Sequence, residues 1–383
     1  MPSSAVSEKT DVLIPGGSRS LQALKCEVQR RADLGLPPLG NISSEDASAA
    51  LAQIDSLSRE QWALAWSSVA EQHFALAQSS GPDARDRYWN AWRIFHFARW
   101  PVENTPAKRY AKQRAYQAFR CYIKFLDPVM EVVRIPYEGR EIVAYLRLPT
   151  QPRPAPLVFA IAGLDSRKED IAAFSDRYLQ HGVGLFAIDL PGTGETPIAT
   201  ATPDSDRMFS AALDYLATRH EADASRIVVQ GRSWSGYWAA KLAHTERARL
   251  RGAVVHGGPV HGYFQSDWLQ QSLASDEYLY DYLAAKAALF GAGGMDDLLA
   301  RAQKFSLLDS GLLNQPSAPM LLVNGARDSQ IPIADVYVLL EHGNAKDAWV
   351  NPVGGHMGRS REWSANAIFE KVVMPWMLRH LRS

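Results

Sequence analysis

The residues around Ser233 have the types and spacing needed to generate a serine nucleophile. Residues 227–237 read Ile-Val-Val-Gln-Gly-Arg-Ser-Trp-Ser-Gly-Tyr and place Ser233 between an apolar, strand-like run and a helical run. A strand, a sharp turn with serine at its apex and a helix together form a nucleophile elbow. This turn exposes the hydroxyl and directs the helix N-terminus at the reacting oxygen. We therefore predict that Ser233 is a nucleophile.

The glycines around the serine fit this elbow with one departure. Gly231 stands two residues before the serine, where the turn is too tight for a side chain. The second glycine of the usual Gly-x-Ser-x-Gly pattern is replaced by Ser235, and Gly236 follows. Because serine is small, we interpret Ser235 as a tolerated variant.

A base and an acid follow in the order that this chemistry requires. A serine hydroxyl is a poor nucleophile at neutral pH unless an imidazole takes its proton and a carboxylate orients that imidazole. Asp328 lies in the loop after the apolar run 320–323, and His356 follows two glycines after the last strand-like run. Alone, each has another interpretation, as a turn-capping aspartate or a loop-surface histidine. In the order Ser, Asp, His they predict the catalytic triad of an α/β-hydrolase fold.

An oxyanion hole in this fold uses two backbone N–H groups. We predict that the two donors are the backbone N–H of Trp234, the residue after the nucleophile, and that of Leu164, in the loop after the third strand. Gly163 allows close approach there and is predicted to lie at the substrate. Asp165 has two interpretations, a pocket residue or a cap for the helix that begins near Arg167, and the cap is slightly favoured.

Two further residues are predicted to border the substrate, Tyr237 after the elbow and His256 at a strand end. His256 and His261 match no metal-ligand spacing, so a substrate-facing or packed histidine is favoured over a ligand and no metal is predicted. The loop 189–195 contains glycines but lacks the lysine and spacing of a phosphate loop.

The elements that must position these residues form a parallel sheet. A hairpin over 130–135 and 142–148 is followed by six strand-like runs that alternate with helical ones, which predicts a mostly parallel sheet with helices on both faces. The six runs are 157–161, 184–188, 226–229, 253–255, 320–323 and 349–351. Active sites in such sheets lie beyond the carboxyl ends of the strands. The helical, aromatic-rich segment 258–316 is predicted to form a lid there.

An all-helical region precedes the sheet. From about Ser43 to Leu126, apolar residues recur at helical spacing, and Trp100-Pro101 and Asp127-Pro128 end two of the helical runs. We expect an N-terminal helical domain over 1–128 and a catalytic domain over 129–383. The basic run 108–114 is interpreted as a solvated helix face.

Composition excludes several classes of protein. Among 383 residues, Lys plus Arg and Asp plus Glu both number 41, so no net field attracts nucleic acid or an anionic membrane. A small, largely uncharged substrate suits this balance. Cys26 and Cys121 are far apart and predict neither a disulfide nor a metal site. The start Met1-Pro2-Ser3-Ser4 lacks an export signal, and no segment has the length of a membrane span, so we expect a cytoplasmic protein. A homodimer formed through the helical region remains open.

Most of the chain resembles the α/β hydrolases that carry an N-terminal helical domain. The resemblance includes the FrsA-like esterases, the fungal polyketide-shortening hydrolases and the bacterial 2,6-dihydroxypseudooxynicotine hydrolase. It rests on the elbow and on segments 132–139, 162–169 and 189–195. The resemblance implies hydrolysis of an ester or of a carbon–carbon bond beside a ketone, without metal or cofactor. It also implies a polyketide-like substrate of secondary metabolism.

The predicted function is therefore a cofactor-independent serine hydrolase that forms an acyl-enzyme on Ser233. The many aromatic residues suggest an aromatic substrate between the domains, although rings that simply pack the interface explain them equally well. An acyltransferase or cyclase with the same triad is a mechanistic alternative. A binding or regulatory protein with a vestigial triad is the alternative from another class.

Overall fold

The protein is built around one eight-stranded sheet. A computed structural model describes residues 19–79, 81–273 and 278–382. The strands are β1 (Glu131–Tyr137), β2 (Arg140–Arg147), β3 (Ala155–Ile161), β4 (Gly184–Ile188), β5 (Ala222–Arg232), β6 (Leu250–His256), β7 (Met320–Gly325) and β8 (Asp347–Asn351). Their order is β1-β2-β4-β3-β5-β6-β7-β8. The β1–β2 and β2–β4 pairs are antiparallel, and the pairs among β3 to β8 are all parallel. The predicted fold class is confirmed.

In the described residues before the sheet, the chain forms five α-helices. They are α1 (Leu21–Asp33), α2 (Ser44–Ala52), α3 (Arg59–Gln78), α4 (Ala84–Arg99) and α5 (Pro106–Tyr122). The first three and the fifth begin at a Ser or Thr whose side chain accepts a backbone N–H of the first turn. The helical region extends further than predicted, since α1 lies before Ser43. The four-residue spacing of its buried Leu24, Val28 and Ala32 was the signal for it.

Outside the segment between β6 and β7, the described residues after β3 form seven α-helices. They are α6 (Lys168–Ala172), α7 (Asp176–Leu179), α8 (Arg207–Ala217), α9 (Gly236–Thr245), α13 (Ala334–Glu341), α14 (Ala365–Ile368) and α15 (Met374–Arg382). Helices α8 and α9 meet over the sheet through Phe209, which lies against Phe159 of β3 and Trp238 of α9. Helix α15 packs on β5 and β6. These contacts bury the faces of the central strands.

The described residues between β6 and β7, which were predicted to form a lid and are called the lid below, contain α10 (Ser266–Ser272), α11 (Tyr282–Phe290) and α12 (Met295–Gln303). The lid residues Phe264, Phe290 and Phe305 lie 5.7–6.3 Å, between ring centroids, from the Trp234 ring that follows the nucleophile. The lid therefore packs at the carboxyl ends of the strands.

A buried ion cluster joins the lid to the helical region. Asp281, which precedes α11, accepts from Arg59 Nε at 3.1 Å and from Lys108 Nζ at 2.8 Å. All three side chains are at most 5% exposed. Burial alone would raise the pKa of Asp281, but Lys108 and Arg59 lower it below its usual value. Lys108 is thus a buried partner of the lid and not part of a solvated face.

Other sequence expectations have simpler outcomes. In the described part of the chain, no helix combines the length and apolar character required to cross a lipid bilayer. Cys26 is exposed, Cys121 is half-buried, and both are free thiols. The segment Met1 to Ser4, on which the expectation about export rests, lies outside the described residues.

Candidate active site

Ser233 occupies a sharp turn between β5 and α9. Its φ is +55°, a conformation uncommon for a residue with a side chain and a feature of the elbow. Gly231 makes this turn possible, because a Cβ there would lie 2.2 Å from the Ser235 carbonyl oxygen. The Ser233 residue is half-buried, so it is not sealed beneath the lid.

The three side chains predicted as a triad converge. The Ser233 Oγ lies 2.7 Å from His356 Nε2, and His356 Nδ1 lies 2.8 Å from Asp328 Oδ2. An ionised carboxylate can only accept, so Nδ1 donates to Asp328 and Nε2 is left to accept the Ser233 proton. The arrangement can convert the hydroxyl into a nucleophile.

Asp328 is fixed by the loop that follows β7. Its Oδ1 accepts the backbone N–H groups of Gln330 and Ile331 at 2.8 and 3.0 Å, which leaves Oδ2 for His356. Burial alone would raise the pKa of Asp328, but His356 and these N–H groups lower it below its usual value. The carboxylate is therefore ionised at neutral pH.

His256 and Asn324 hold the turn that carries His356. The His256 Nε2 lies 2.8 Å from the Met357 carbonyl oxygen, and Asn324 Oδ1 accepts the Met357 N–H at 3.0 Å. Burial lowers the pKa of His256 to about 3, so the ring is a neutral donor. Of the two interpretations of His256, substrate-facing or packed, the structure places it in the packed position.

Ser235, the departure from the usual pattern, is fully buried and hydrogen-bonded. Its Oγ accepts the Arg232 N–H at 2.8 Å and donates to the Ile161 carbonyl oxygen at 2.8 Å. The hydroxyl thereby ties the elbow to the end of β3. In the usual motif, the glycine at the position of Ser235 allows a neighbouring backbone to approach closely. Here Gly236, one residue later, has that role, since a Cβ on Gly236 would lie 2.4 Å from the Gly258 Cα.

We expect Ser235→Ala to lower the free energy of unfolding by about 1–3 kcal/mol, because it leaves the Arg232 N–H and the Ile161 carbonyl without their partner. Urea unfolding measures this change. Ser67→Ala is the matched control, since Ser67 is buried and its Oγ has no hydrogen-bond partner among the described residues. Equal effects of the two substitutions would contradict a role for the Ser235 hydroxyl.

The loop after β3 lies against the nucleophile. A Cβ on Gly163 would lie 3.7 Å from the Ser233 Cβ, and the Gly163 N–H donates to Ser166 Oγ at 2.8 Å. The next N–H, of Leu164, meets no acceptor in the residues that the structure describes. It is available to an oxyanion together with the N–H of Trp234.

Asp165 does not cap α6. The helix begins after Arg167, whose own N–H is taken by Asp170 Oδ2 at 2.8 Å. Asp165 Oδ2 instead accepts from the Trp100 indole at 3.0 Å, which reaches across from the end of α4. The favoured cap interpretation is wrong, because the Asp165 carboxylate is engaged by Trp100 and the N–H groups of Arg167 and Lys168 go to Asp170 and Asp189.

Tyr237 is buried among aromatic rings and is 1% exposed. Its ring lies 4.8–5.6 Å from four others, those of Trp234, Trp238, Phe264 and Phe305. These rings account for its burial, so Tyr237 supports the elbow helix by packing.

Two residues of the segments that carry the resemblance, Lys168 and Asp189, form a buried charge network behind the loop. Lys168 Nζ donates to Asp189 Oδ2 and Glu195 Oε2, both at 2.9 Å, and its backbone N–H donates to Asp189 Oδ1 at 2.7 Å. The Glu169 carboxylate lies 3.1 Å from the same Nζ without hydrogen-bond alignment. Loop 189–195 is thus a structural anchor for α6.

Glu169 makes stability depend on pH. Burial, with Asp189 and Glu195 nearby, raises its pKa from an ordinary 4.5 to about 7. Between these values the folded protein keeps a proton that the unfolded chain releases, so the free energy of unfolding falls as pH rises from about 4.5 to about 7. The stabilisation that the bound proton provides is complete below about pH 4.5 and lost above about pH 7.

We expect Glu169→Gln, which imitates the protonated side chain, to flatten this dependence. The gain at pH 8 should be on the order of 1 kcal/mol, or about 2 °C in Tm, with little change at pH 5. Thermal melts from pH 5 to 8 measure it, with exposed Glu141→Gln as control. A variant whose melting profile parallels that of the wild type would refute the assignment.

Asp335 is a structural residue that sequence patterns missed. It is fully buried and accepts the backbone N–H groups of Val260, His261, Gly262 and Tyr263, which fixes the start of the lid. His261 Nδ1 lies 2.8 Å from Ser306 Oγ. Among the described residues, no three His, Cys, Asp or Glu side chains group as a metal site would require.

Comparison with known proteins gives one consistent family. A family model described as Esterase FrsA-like matches residues 51–370. The esterase FrsA of Vibrio parahaemolyticus is 25% identical over 295 residues, which covers 74% of this chain and 70% of the relative. That of Vibrio cholerae is 27% identical over 296 residues, with the same coverage.

Solved structures agree in fold. The 2,6-dihydroxy-pseudo-oxynicotine hydrolase superposes with a TM-score of 0.73 at 21% identity and covers 89% of this chain and 93% of its own. Wild-type AbyA5 superposes with a TM-score of 0.71 at 23% identity and covers 94% of this chain and 93% of its own. Both likenesses include the helical region as well as the sheet.

Proposed function

Because this chain belongs to the FrsA-like esterase family and is a hydrolase, we propose that it cleaves its substrate through an acyl-enzyme on Ser233. The observation that carries the proposal is the chain of contacts from Ser233 Oγ through the His356 ring to Asp328, at 2.7 and 2.8 Å. A hydroxyl, a base and an orienting acid in this relation are what nucleophilic acyl transfer requires.

In the first half-reaction, His356 Nε2 takes the Ser233 proton as Oγ attacks a carbonyl carbon. The N–H groups of Leu164 and Trp234 hold the oxygen that becomes negative. As the tetrahedral species collapses, the imidazolium returns its proton to the leaving group and an acyl-serine remains. Asp328 keeps the ring in the correct tautomer and stabilises its charge.

In the second half-reaction, His356 deprotonates a water that attacks the acyl-serine, and the acid is released with Ser233 restored. The leaving group of the first step is an alcohol in ester cleavage. In carbon–carbon cleavage it is a carbanion stabilised by a neighbouring carbonyl and is protonated on carbon. The triad serves both, because only the leaving group differs.

We propose a small, uncharged carbonyl compound as substrate, with aryl esters and aromatic or polyketide-like β-diketones as the candidates. The balanced charge of the chain supports an uncharged molecule. The aromatic residues lend less support, since the buried rings of Tyr278 and Tyr280 each lie 5.2 Å, between centroids, from that of Trp100. Packing is sufficient to explain them.

The test is mass spectrometry of the intact protein after reaction with a fluorophosphonate probe, then with small aryl esters and β-diketones. We expect a covalent adduct on Ser233, absent in Ser233→Ala. A wild-type protein that forms no adduct under conditions where a known serine esterase is labelled would contradict the proposal and favour a binding role.

Products formed in ¹⁸O-labelled water separate hydrolysis from acyl transfer. Hydrolysis places one solvent oxygen in the released acid, whereas transfer or cyclisation to a second nucleophile places none. An adduct on Ser233 with unlabelled product would identify an acyltransferase or cyclase that uses the same triad.

A further inference from the structure

The backbone of the loop that presents Leu164 is held by two buried arginines. Arg167 Nη1 donates to the carbonyl oxygens of Leu164 at 3.2 Å and Ser166 at 2.6 Å. Arg99 Nη2 donates to the carbonyl oxygen between them, that of Asp165, at 2.7 Å. Three successive carbonyls therefore face guanidinium groups, and this fixes the peptide planes next to the Leu164 N–H.

One carboxylate joins the two arginines. Glu103 Oε1 lies 2.8 Å from Arg167 Nη2 and 3.5 Å from Arg99 Nη1. The Arg99 and Arg167 side chains are 1% and 3% exposed. Burial alone would raise the pKa of Glu103, but Arg167 and Arg99 hold it at about 2. The ionised carboxylate compensates two cations that would otherwise repel each other in the interior.

These residues belong to two different regions of the protein. Arg99 ends α4, and Trp100 and Glu103 follow it before α5, while Arg167 belongs to the loop after β3. Trp100 adds a second contact through its indole, which donates to Asp165 Oδ2 at 3.0 Å. The helical region therefore contacts the loop backbone one residue away from the N–H assigned to the oxyanion.

We infer that Glu103, Arg99, Arg167 and Trp100 are positioning residues, through which the helical region sets the oxyanion loop of the catalytic region. This inference rests on the proposed function. None of the four needs to touch substrate. They act by holding Leu164 in the geometry that stabilises the tetrahedral species, where a displacement of about 1 Å costs on the order of 100-fold in rate.

The test uses two variants that loosen the loop differently. Glu103→Gln removes the compensating charge, and Trp100→Phe removes only the indole donor while keeping an aromatic ring. With p-nitrophenyl acetate, after active-site titration with the fluorophosphonate probe, we expect kcat to fall about 10- to 100-fold for Glu103→Gln and about 3- to 10-fold for Trp100→Phe, with KM within about twofold. Affinity for an aryl boronic acid, which forms a tetrahedral adduct on the serine, should fall in proportion to kcat.

Matched controls separate positioning from general destabilisation. Glu71→Gln breaks another Glu–Arg pair, with Arg114, whose two members belong to α3 and α5 of the helical region. Trp66→Phe shortens a buried tryptophan whose Nε1 makes no hydrogen bond in the described structure. Both controls should keep wild-type kcat and boronate affinity.

Three results would overturn the inference. Folded Trp100→Phe and Glu103→Gln proteins with wild-type kcat and boronate affinity would do so, and so would equal losses in the two controls. Should Glu103→Gln fail to fold, Trp100→Phe decides alone. A wild-type protein that never reacts with the probe would overturn the proposed function as well, which distinguishes the two failures.

Discussion

Ser233→Ala should lower kcat for an aryl ester about 10⁶-fold, to the residual rate that binding and the oxyanion hole alone provide. The Ser233 hydroxyl is in position to supply the attacking oxygen, because its Oγ lies 2.7 Å from His356 Nε2. The folded state should be preserved, since alanine retains the backbone and removes one partly exposed oxygen.

Steady-state kinetics with p-nitrophenyl acetate and a thermal melt together measure this result. Ser67→Ala, which removes a buried hydroxyl far along the chain in α3, should retain wild-type kcat. A Ser233→Ala protein that keeps more than about one-hundredth of wild-type kcat would mean that another nucleophile or a bound water carries the reaction.

Asp328→Asn should lower kcat about 10⁴-fold with little change in KM. The amide accepts less well than the carboxylate and can itself donate to His356 Nδ1, which moves the ring proton to Nε2. A protonated Nε2 cannot accept from Ser233, so the nucleophile is not activated. The fold should tolerate the isosteric change because Oδ1 still accepts from Gln330 and Ile331.

The same assay with Asp309→Asn gives the control, because Asp309 is mostly exposed and lies 3.7 Å from His261, away from the triad contacts. A loss of less than tenfold for Asp328→Asn would show that the imidazole needs no acid to orient it, and would assign Asp328 to holding its loop alone.

The boundaries of a strand were predictable where all of its residues are buried and apolar. Strand β4 matches the predicted run 184–188 because its five residues are all buried. Strand β5 was predicted over 226–229 but spans Ala222–Arg232. Its extra residues include polar ones, such as Gln230, which accepts from the Tyr178 hydroxyl at 2.8 Å. A polar residue can occupy a buried strand when a distant segment supplies its hydrogen-bond partner. The periodicity of apolar residues in the sequence does not indicate that partner.

The convergence of the triad was likewise predictable, because the fold brings the loops after β5, β7 and β8 to one edge. What the sequence did not reveal is how those loops are held. His256, Asp335 and Glu103 act through partners 64 to 101 residues away. No local spacing marks such contacts, and the cap interpretation of Asp165 failed for the same reason, since its partner Trp100 lies 65 residues earlier.

The buried trio of Asp281, Arg59 and Lys108 constrains how this sequence can diverge. Losing Asp281 would leave two cations without their carboxylate in the interior, which typically costs several kcal/mol, whereas exchanging all three for apolar residues of similar volume is often neutral. We therefore expect the acid at position 281 to be replaced only together with both cations, at positions 59 and 108. Related chains that lack an acid at position 281 should then carry uncharged residues at positions 59 and 108.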